Sequence, residues 1–353
     1  MGGRPRVLLL AMYRLDAPPS GPRVRIAAVR DALSERVRLD LVSGTRIGRT
    51  WAMLRYATSG RLRGLAGVYV ESSSSLPGPA DLLFLALARG LGVRVLTYVR
   101  DAYQLFPEYY PLTSLRRRLS RVAFLPVFRT LARVSSVVAF PSRGLVDAVL
   151  GPGDRSRAAA LLPPGARIAD APALDATARA LLYVGSLAHG PSGGDLLVSA
   201  MEQAKVQVPD LRLICVLPDG QDAPQPHPDW LETVRGGDEE IAGLLPRVLA
   251  TITPRLRTPY NDLAVPIKVL EYLGYGRPLI VTDATETAAI VEAAGCGVVV
   301  PATAEGLAGG IVTVALASRA QLADWADAAR RAAEASSWDL RAQQILDLLE
   351  VDA

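Results

Sequence analysis

Lysine, histidine and cysteine are scarce in this chain of 353 residues, each occurring twice. Two thiols cannot build a disulfide framework for a chain this long. Cys215 and Cys296 sit in apolar strand-like or strand-flanking segments and read as buried thiols of a reducing compartment. His189 and His227 are the only imidazoles, so no cluster with metal-ligand spacing is visible, and no Ser/His/Asp or Cys/His arrangement. No apolar run is both long enough and free enough of charge to span a bilayer, which needs ~20 residues. The basic start, Met1 to Arg6, leads into a short apolar run without a small-residue cleavage site; it reads as a strand and not as a secretion signal. The net charge of +4 is mild, with one local cluster at Arg116, Arg117, Arg118 and Arg121. Nucleic-acid binding calls for a denser stripe with interleaved aromatics, so it is set aside; phosphate-rich small molecules or anionic lipid fit better. With Lys205 the only other lysine, the choice of lysine at 268 is informative, because a compact ammonium suits a phosphate or sugar oxygen as a point charge.

Half of the residues are hydrophobic, which is enough for sizeable cores, and the length suits two domains. Apolar β-type runs alternate with helix-period segments throughout. The first half predicts strands at Val7–Met12, Val37–Val42, Gly67–Glu71, Arg94–Val99, Val134–Phe140 and Ala158–Leu162, with helices such as Pro22–Ser34 and Pro79–Leu91 between them. The second half predicts strands at Ala180–Gly185, Leu211–Leu217, Val248–Thr253, Pro278–Val281 and Gly297–Val300. Continuous apolar strands alternating with helices indicate an α/β fold with parallel sheets covered on both faces. Pro163-Pro164-Gly165 and the Ala/Asp/Pro-rich stretch to Ala178 read as a linker and hinge. The expected organisation is two Rossmann-like doubly wound domains, 1–168 and 169–336, facing across a cleft. A helix over 337–353 follows, with Ser336 or Ser337 as its N-cap.

The densest chemistry lies in Pro266-Ile267-Lys268-Val-Leu-Glu271-Tyr-Leu-Gly274-Tyr-Gly276-Arg-Pro278. Pro266 suits a first helical turn, Lys268 and Glu271 share a face, and Gly274, Gly276 and Pro278 end the helix before the next strand. The backbone N–H groups from Val265 to Lys268, Pro266 itself having none, form a ready anion site. Lys268 and Glu271 alone fit a surface ion pair on an ordinary amphipathic helix better than a ligand site. Leu115, Leu119, Val122, Phe124, Leu125, Phe128 and Leu131, with arginines beside them, mark 112–133 either as a helix packed on its sheet and interrupted near Pro126, or as a segment touching membrane.

The run Pro266-x-Lys268-x-x-Glu271-Tyr272-Leu273-x-x-Gly276-x-Pro278-Leu-Ile-x-Thr282 resembles the nucleotide-sugar donor motif of glycosyltransferase family 4. Other segments resemble that family in the expected order. They are Pro18-Pro19-Ser20-Gly21, Tyr98-Val-Arg100-Asp101-Ala-Tyr103-Gln-Leu-Phe106-Pro107-Glu108, Pro141-Ser142, Leu182-Tyr183-Val184-Gly185-Ser186-Leu187, and Ser337-Trp338. The resemblance implies the two-domain GT-B architecture, with a terminal helix returning to the first domain. It also implies retaining transfer from a nucleoside-diphosphate sugar, with the donor on the C-terminal domain and the acceptor on the N-terminal one. The expected donor contacts are Glu271 to the ribose hydroxyls, and Gly185 and Ser186 to the diphosphate. Lys268 either neutralises a phosphate or braces its helix. Arg255 is a second phosphate candidate or a loop arginine, and Asn261 and Asp262 contact the sugar or cap the helix. On the acceptor side the candidates are Gly21, Arg100, Asp101 and Glu108, with Asp101 orienting a hydroxyl or serving as a cap or partner of Arg100. Asp101 and Lys268 are the candidate catalytic residues. Neither metal nor resident cofactor is expected.

The chain also departs from the family. The loop Gly185-Ser186-Leu187-Ala-His189-Gly190-Pro-Ser192-Gly193 has no Arg or Lys where many members carry a basic pair, and Leu263 stands where many have an earlier Glu. The acceptor, whether glycan, lipid-linked or small-molecule, is left open, and the expected location is cytoplasmic, up to the inner face of a membrane. The competing reading is a non-catalytic nucleotide-sugar-binding subunit that assists a partner transferase. An epimerase or phosphorylase of the same architecture ranks below both, lacking in-cleft acid/base residues or a dense cationic pocket.

Overall fold

The computed structural model describes residues 4–16, 20–72, 76–151, 159–218, 220–221 and 228–352. The chain forms two compact units, Met1–Gly165 with Trp338–Ala353, and Ala166–Ser337.

Unit 1 runs β1 (Arg6–Ala11), α1 (Gly21–Arg36), β2 (Arg38–Val42), α2 (Arg46–Thr58), β3 (Gly67–Glu71), α3 (Pro79–Gly90), β4 (Arg94–Tyr98), α4 (Leu115–Val134), β5 (Val137–Phe140), α5 (Arg143–Leu150) and β6 (Ala159–Leu161). Its sheet is parallel, in the order β2-β1-β3-β4-β5-β6. The strands are apolar throughout because both faces are covered: Val7 to Leu10 are fully buried. Met53 and Tyr56 of α2, Phe84, Leu85 and Ala88 of α3, and Leu131 of α4 pack with Leu8, Leu10, Val68 and Val70 of the sheet in one core cluster.

Unit 2 runs β7 (Ala180–Val184), α6 (Gly194–Gln207), β8 (Arg212–Val216), β9 (Leu231–Val234), α7 (Asp238–Leu244), β10 (Val248–Thr253), α8 (Ile267–Gly274), β11 (Leu279–Thr282), α9 (Thr285–Ala294), β12 (Gly297–Val300), α10 (Ala304–Ala315) and α11 (Arg319–Glu334). Its sheet is also parallel, in the order β12-β11-β10-β7-β8-β9. The strand order reverses between β7 and β10, and a crevice opens at such a point beyond the carboxyl ends of the strands. The terminal helix α12 (Trp338–Leu349) belongs to unit 1, where it packs on α1, β3 and β4. Gly165 makes room for it, since a Cβ there would lie 2.5 Å from the Trp338 ring.

Three local expectations change. The stretch read as a linker, 166–178, is fastened to unit 2: Ala166 pairs with Ser337, Ala169 N–H donates to Gly274 O at 3.0 Å, and Arg277 holds Pro172 O at 3.2 Å. α4 runs through Pro126 without the expected interruption. The ring removes the N–H that Val122 O would accept, and Val122 is exposed, so water can serve that carbonyl. The short strand β9 has no counterpart in the sequence pattern, because only its first residue is fully buried. Among the described residues no single helix is long and apolar enough to cross a bilayer; α10 and α11 together meet that length and composition only across a 108° bend.

Candidate functional site

The strand reversal of unit 2 places the loop after β7 beside the loop after β10, and the first of these depends on glycine. Gly185 has φ +154, and a Cβ there would lie 2.7 Å from Tyr183 Oη and 3.1 Å from Lys268 Nζ. Gly193 has φ +73, and its Cβ would collide with Pro254 O at 1.6 Å. Backbone therefore approaches backbone closely where β7 turns into α6. Ser186 closes this turn: its hydroxyl accepts from Ala188 N–H at 3.1 Å, and its carbonyl accepts from the Tyr183 hydroxyl at 3.1 Å.

α8 begins just past Pro266, which stands at the N-cap and not in the first turn. From α8, Lys268 reaches back to β7, donating to Val184 O at 2.9 Å with its ammonium 4.8 Å from the Tyr183 ring centroid. The next residue of α8's buried face but one turn on, Tyr272, accepts from Val184 N–H at 2.8 Å, so both polar groups of Val184 are tied to this helix. Burial, reinforced by nearby Arg255, lowers the Lys268 pKa from its ordinary 10.5 to about 8. Glu271, three residues on, makes no ion pair with Lys268. It lines a separate pocket of about 260 Å³ with Arg167, Ile168, Asp170, Asp238, Ala242 and Tyr275. Its carboxylate makes no hydrogen bond or ion pair among the described residues. Burial first, and then the Asp238 charge, raise its pKa to about 7. The surface ion-pair reading of these two residues is thereby excluded: one bonds backbone at a strand end, and the other faces a pocket.

Arg255 follows β10 and donates to Asn261 Oδ1. Asn261 is fully buried and donates to Pro191 O at 2.9 Å and Leu256 O at 2.7 Å, so it staples the β10 loop to the β7 loop. It does not cap α8. Asp262 does not either: its carboxylate pairs with Arg257 and accepts from Thr285 N–H at 3.2 Å, at the start of α9. Leu263, at the position of the family's earlier Glu, brings no carboxylate. His189 leans on Asp195 in the first turn of α6, Nδ1 to Oδ2 at 2.5 Å. His227 and the residues Pro18 and Pro19 lie outside the described residues.

In unit 1, Arg100 donates to Asp101 Oδ2 at 2.8 Å and lies 5.2 Å from the Tyr13 ring. Asp101 is buried, three residues past the end of β4, whereas Glu108 stands exposed in a turn. Gly21 is the first residue of α1 and is exposed. The structure thus gathers Gly185, Ser186, Arg255, Asn261, Pro266, Ile267 and Lys268 at one sheet edge, with Glu271 one turn further along α8. It places Arg100 and Asp101 together in unit 1. Sequence reasoning missed Tyr183 and Tyr272, which fix the β7 loop against α8, and the pocket walls Arg167, Asp170 and Asp238. No local signal marks the latter, since they come from a stretch read as a linker and from a short helix. Among the described residues no group of His, Cys, Asp and Glu has the arrangement to hold a metal ion.

Known proteins match this geometry in two ways. Residues 178–316, which carry the β7 loop, the β10 loop and α8, match the family described as "Glycosyl transferases group 1". No curated protein sequence matches the chain. Among solved structures, the sucrose-phosphate synthase of Thermosynechococcus elongatus superposes with a TM-score of 0.69 at 17% identity, covering 98% of both chains. Anabaena HepE in complex with UDP gives 0.67 at 16%, covering 98% of this chain and 99% of that one. WaaG, described as a glycosyltransferase involved in lipopolysaccharide biosynthesis, gives 0.66 at 16%, covering 97% and 99%. The fold is the two-domain GT-B fold. Over 178–316, within unit 2, the chain is similar to the group 1 glycosyl transferases.

Proposed function

We propose that the chain is a retaining glycosyltransferase that moves a sugar from a nucleoside-diphosphate sugar to an acceptor hydroxyl. The observation that carries this reading is the division of labour on α8. An unpaired, partly buried carboxylate faces a pocket, while a cation and a close backbone approach meet one turn earlier at the strand reversal. Glu271 accepts from the two ribose hydroxyls, for which a carboxylate without other partners is the matching group. Lys268, Arg255 and the first N–H groups of α6 and α8 meet the diphosphate, whose charge grows as the glycosidic bond breaks. Gly185 lets the phosphates reach the backbone. The phosphate charge is carried by these groups without a metal. The acceptor belongs to unit 1, where Asp101, oriented by Arg100, accepts from its hydroxyl. The acceptor oxygen attacks the anomeric carbon on the face the diphosphate leaves, and the departing phosphate oxygen takes its proton, so no protein nucleophile is needed. The solved HepE complex with UDP supports the choice of a nucleoside diphosphate, and the compartment in this reading is the cytoplasm.

The lack of Arg or Lys in the β7 loop and Leu263 in place of a Glu favour one competitor, a nucleotide-sugar-binding subunit without activity of its own. A panel of nucleoside-diphosphate sugars offered to the purified chain decides between them. Release of nucleoside diphosphate, abolished in Lys268→Ala, is the expected result. Tight binding with no release under any condition establishes the competitor.

A further inference from the structure

Eight of the fifteen large apolar side chains that stand exposed among the described residues lie on three neighbouring helices of unit 1. On α2 they are Ile47, Trp51 and Leu54, spaced i, i+4, i+7 so that they form one outward stripe; Ile47 is 74% exposed. On α4 they are Leu115, Leu119 and Val122, with the same spacing and 72%, 61% and 77% exposed. Leu83 and Leu87 of α3, which packs against both α2 and α4, bridge the two stripes. The opposite sides of the same helices, through Met53, Phe84 and Leu131, fill the core, so packing onto the sheet does not use the outer stripes. Scattered single apolar residues are ordinary on a surface; three adjacent stripes on one face are not.

The charge on this face has one sign. α2, α3 and α4 contain ten arginines and a single acid, Asp81. Asp81 is spent on the buried Arg49, with bonds of 2.7 and 2.8 Å. Six of the other nine arginines lie on α4, beside its apolar stripe, and none of the nine forms an ion pair among the described residues. The helices on the other side of unit 1 differ: α1 and α12 carry Asp31, Glu35, Asp339 and Asp347, and Arg36 is paired with Asp339 at 2.7 Å. A protein partner could cover an apolar face. Nine cations without counter-charges interleaved with the apolar residues match a different surface, one that is apolar inside and densely anionic at its rim.

We infer that the outer face of α2, α3 and α4 docks on an anionic phospholipid bilayer, with Trp51, Leu119 and Val122 entering the acyl boundary and the arginines of α4 lying among the headgroup phosphates. The inference widens the sequence expectation for 112–133 to a three-helix platform. It holds whether or not unit 2 transfers sugar.

The test is co-sedimentation of the full chain with vesicles of phosphatidylcholine containing about 30 mol% phosphatidylglycerol, compared with pure phosphatidylcholine. Binding to the anionic vesicles exceeds binding to the neutral ones by roughly tenfold or more, and falls steeply at about 0.5 M salt. The combined variant Ile47→Ser, Trp51→Ser, Leu119→Ser, Val122→Ser keeps its melting temperature, because these side chains have no core contacts, and loses roughly tenfold in binding. The variant Arg116→Gln, Arg118→Gln, Arg121→Gln loses the preference for anionic vesicles. Trp51 emission shifts to the blue on the anionic vesicles, read as the difference between the wild type and Trp51→Phe. Absence of vesicle binding overturns the inference. So does binding that neither variant weakens, or a self-associated form without vesicle affinity that the apolar variant breaks apart.

Discussion

The two units bury positive charge in opposite ways. In unit 1, Arg25 is enclosed between α1 and the sheet and given a carboxylate: it donates to Glu71 at 3.0 Å and to Tyr69 at 3.3 Å, and lies 3.7 Å from the Tyr98 ring centroid. Arg49 with Asp81, and Arg100 with Asp101, repeat the pattern. In unit 2, Arg277 is fully buried with no carboxylate partner among the described residues. It donates instead to the carbonyls of Val248 at 3.0 Å, Leu245 at 2.8 Å and Pro172 at 3.2 Å, among others; burial, with Arg330 nearby, lowers its pKa to about 10. Lys268 likewise bonds a carbonyl, and Glu271 bonds nothing among the described residues. A buried pair neutralises itself and is of little use to a charged ligand. Unit 2 leaves Lys268 and Glu271 uncommitted to each other, which costs stability and, in the proposed reading, leaves both signs available to a ligand that carries phosphates at one end and hydroxyls at the other.

The contrast can be broken most forcefully in unit 1. Arg25→Met strands the Glu71 carboxylate in an apolar core and is expected to cost about 3–5 kcal/mol in urea melts, whereas Arg25→Met with Glu71→Leu recovers most of that loss. If the single and double variants are equally destabilised, Arg25 acts through packing on Tyr98 and not through charge. A smaller effect separates backbone strain from crowding. Gly60 in unit 1 and Gly193 in unit 2 share a φ of +73, but a Cβ at Gly60 meets nothing within 4 Å, whereas one at Gly193 falls 1.6 Å from Pro254 O. Gly60→Ala is expected to cost about 1 kcal/mol, the left-handed penalty alone. Gly193→Ala is expected to cost about 3 kcal/mol or more, because the β7 and β10 loops must part. Equal costs would mean that the close approach of those loops is not under constraint.

The alternation of buried strands and helices was legible because a parallel sheet covered on both faces leaves uninterrupted apolar runs, such as Val7–Leu10 and Val248–Thr253. α8 was legible because Pro266, Gly274, Gly276 and Pro278 punctuate it. What α8 touches was not. The spacing puts Lys268 and Glu271 on one face, but whether they meet depends on Val184 O being available to the ammonium and on Arg167 to Asp170 closing a pocket over the carboxylate. Those are contacts between segments ~80 to ~100 residues apart, which no local pattern encodes. The docking of 166–178 is similar: its Ala/Pro/Asp composition reads as a linker, and only the absence of a Cβ at Gly274, where one would lie 1.9 Å from Arg167 O, reveals the fit. On α2, the spacing of Ile47, Trp51 and Leu54 went unread in the sequence. Its meaning appeared only once the opposite side of the helix was seen to fill the core.

The central claim is that Glu271 holds the ribose of a nucleoside diphosphate as a carboxylate. Because its pKa is raised to about 7, the ionised form is the disfavoured one in the empty protein. The stability that its protonated form contributes is fully present below the ordinary carboxylate pKa and is lost as the pH rises through about 7. A ligand that bonds the carboxylate must therefore bind better over that same rise. The measurement is calorimetric titration of UDP into wild type and Glu271→Gln from about pH 6 to about pH 8.5, with the variant cancelling the titration of the phosphates themselves. The account predicts that the wild type binds roughly ten- to a hundredfold more tightly at the upper pH and that this advantage shrinks toward the lower one. Equal affinities for the two proteins across the whole range would contradict it.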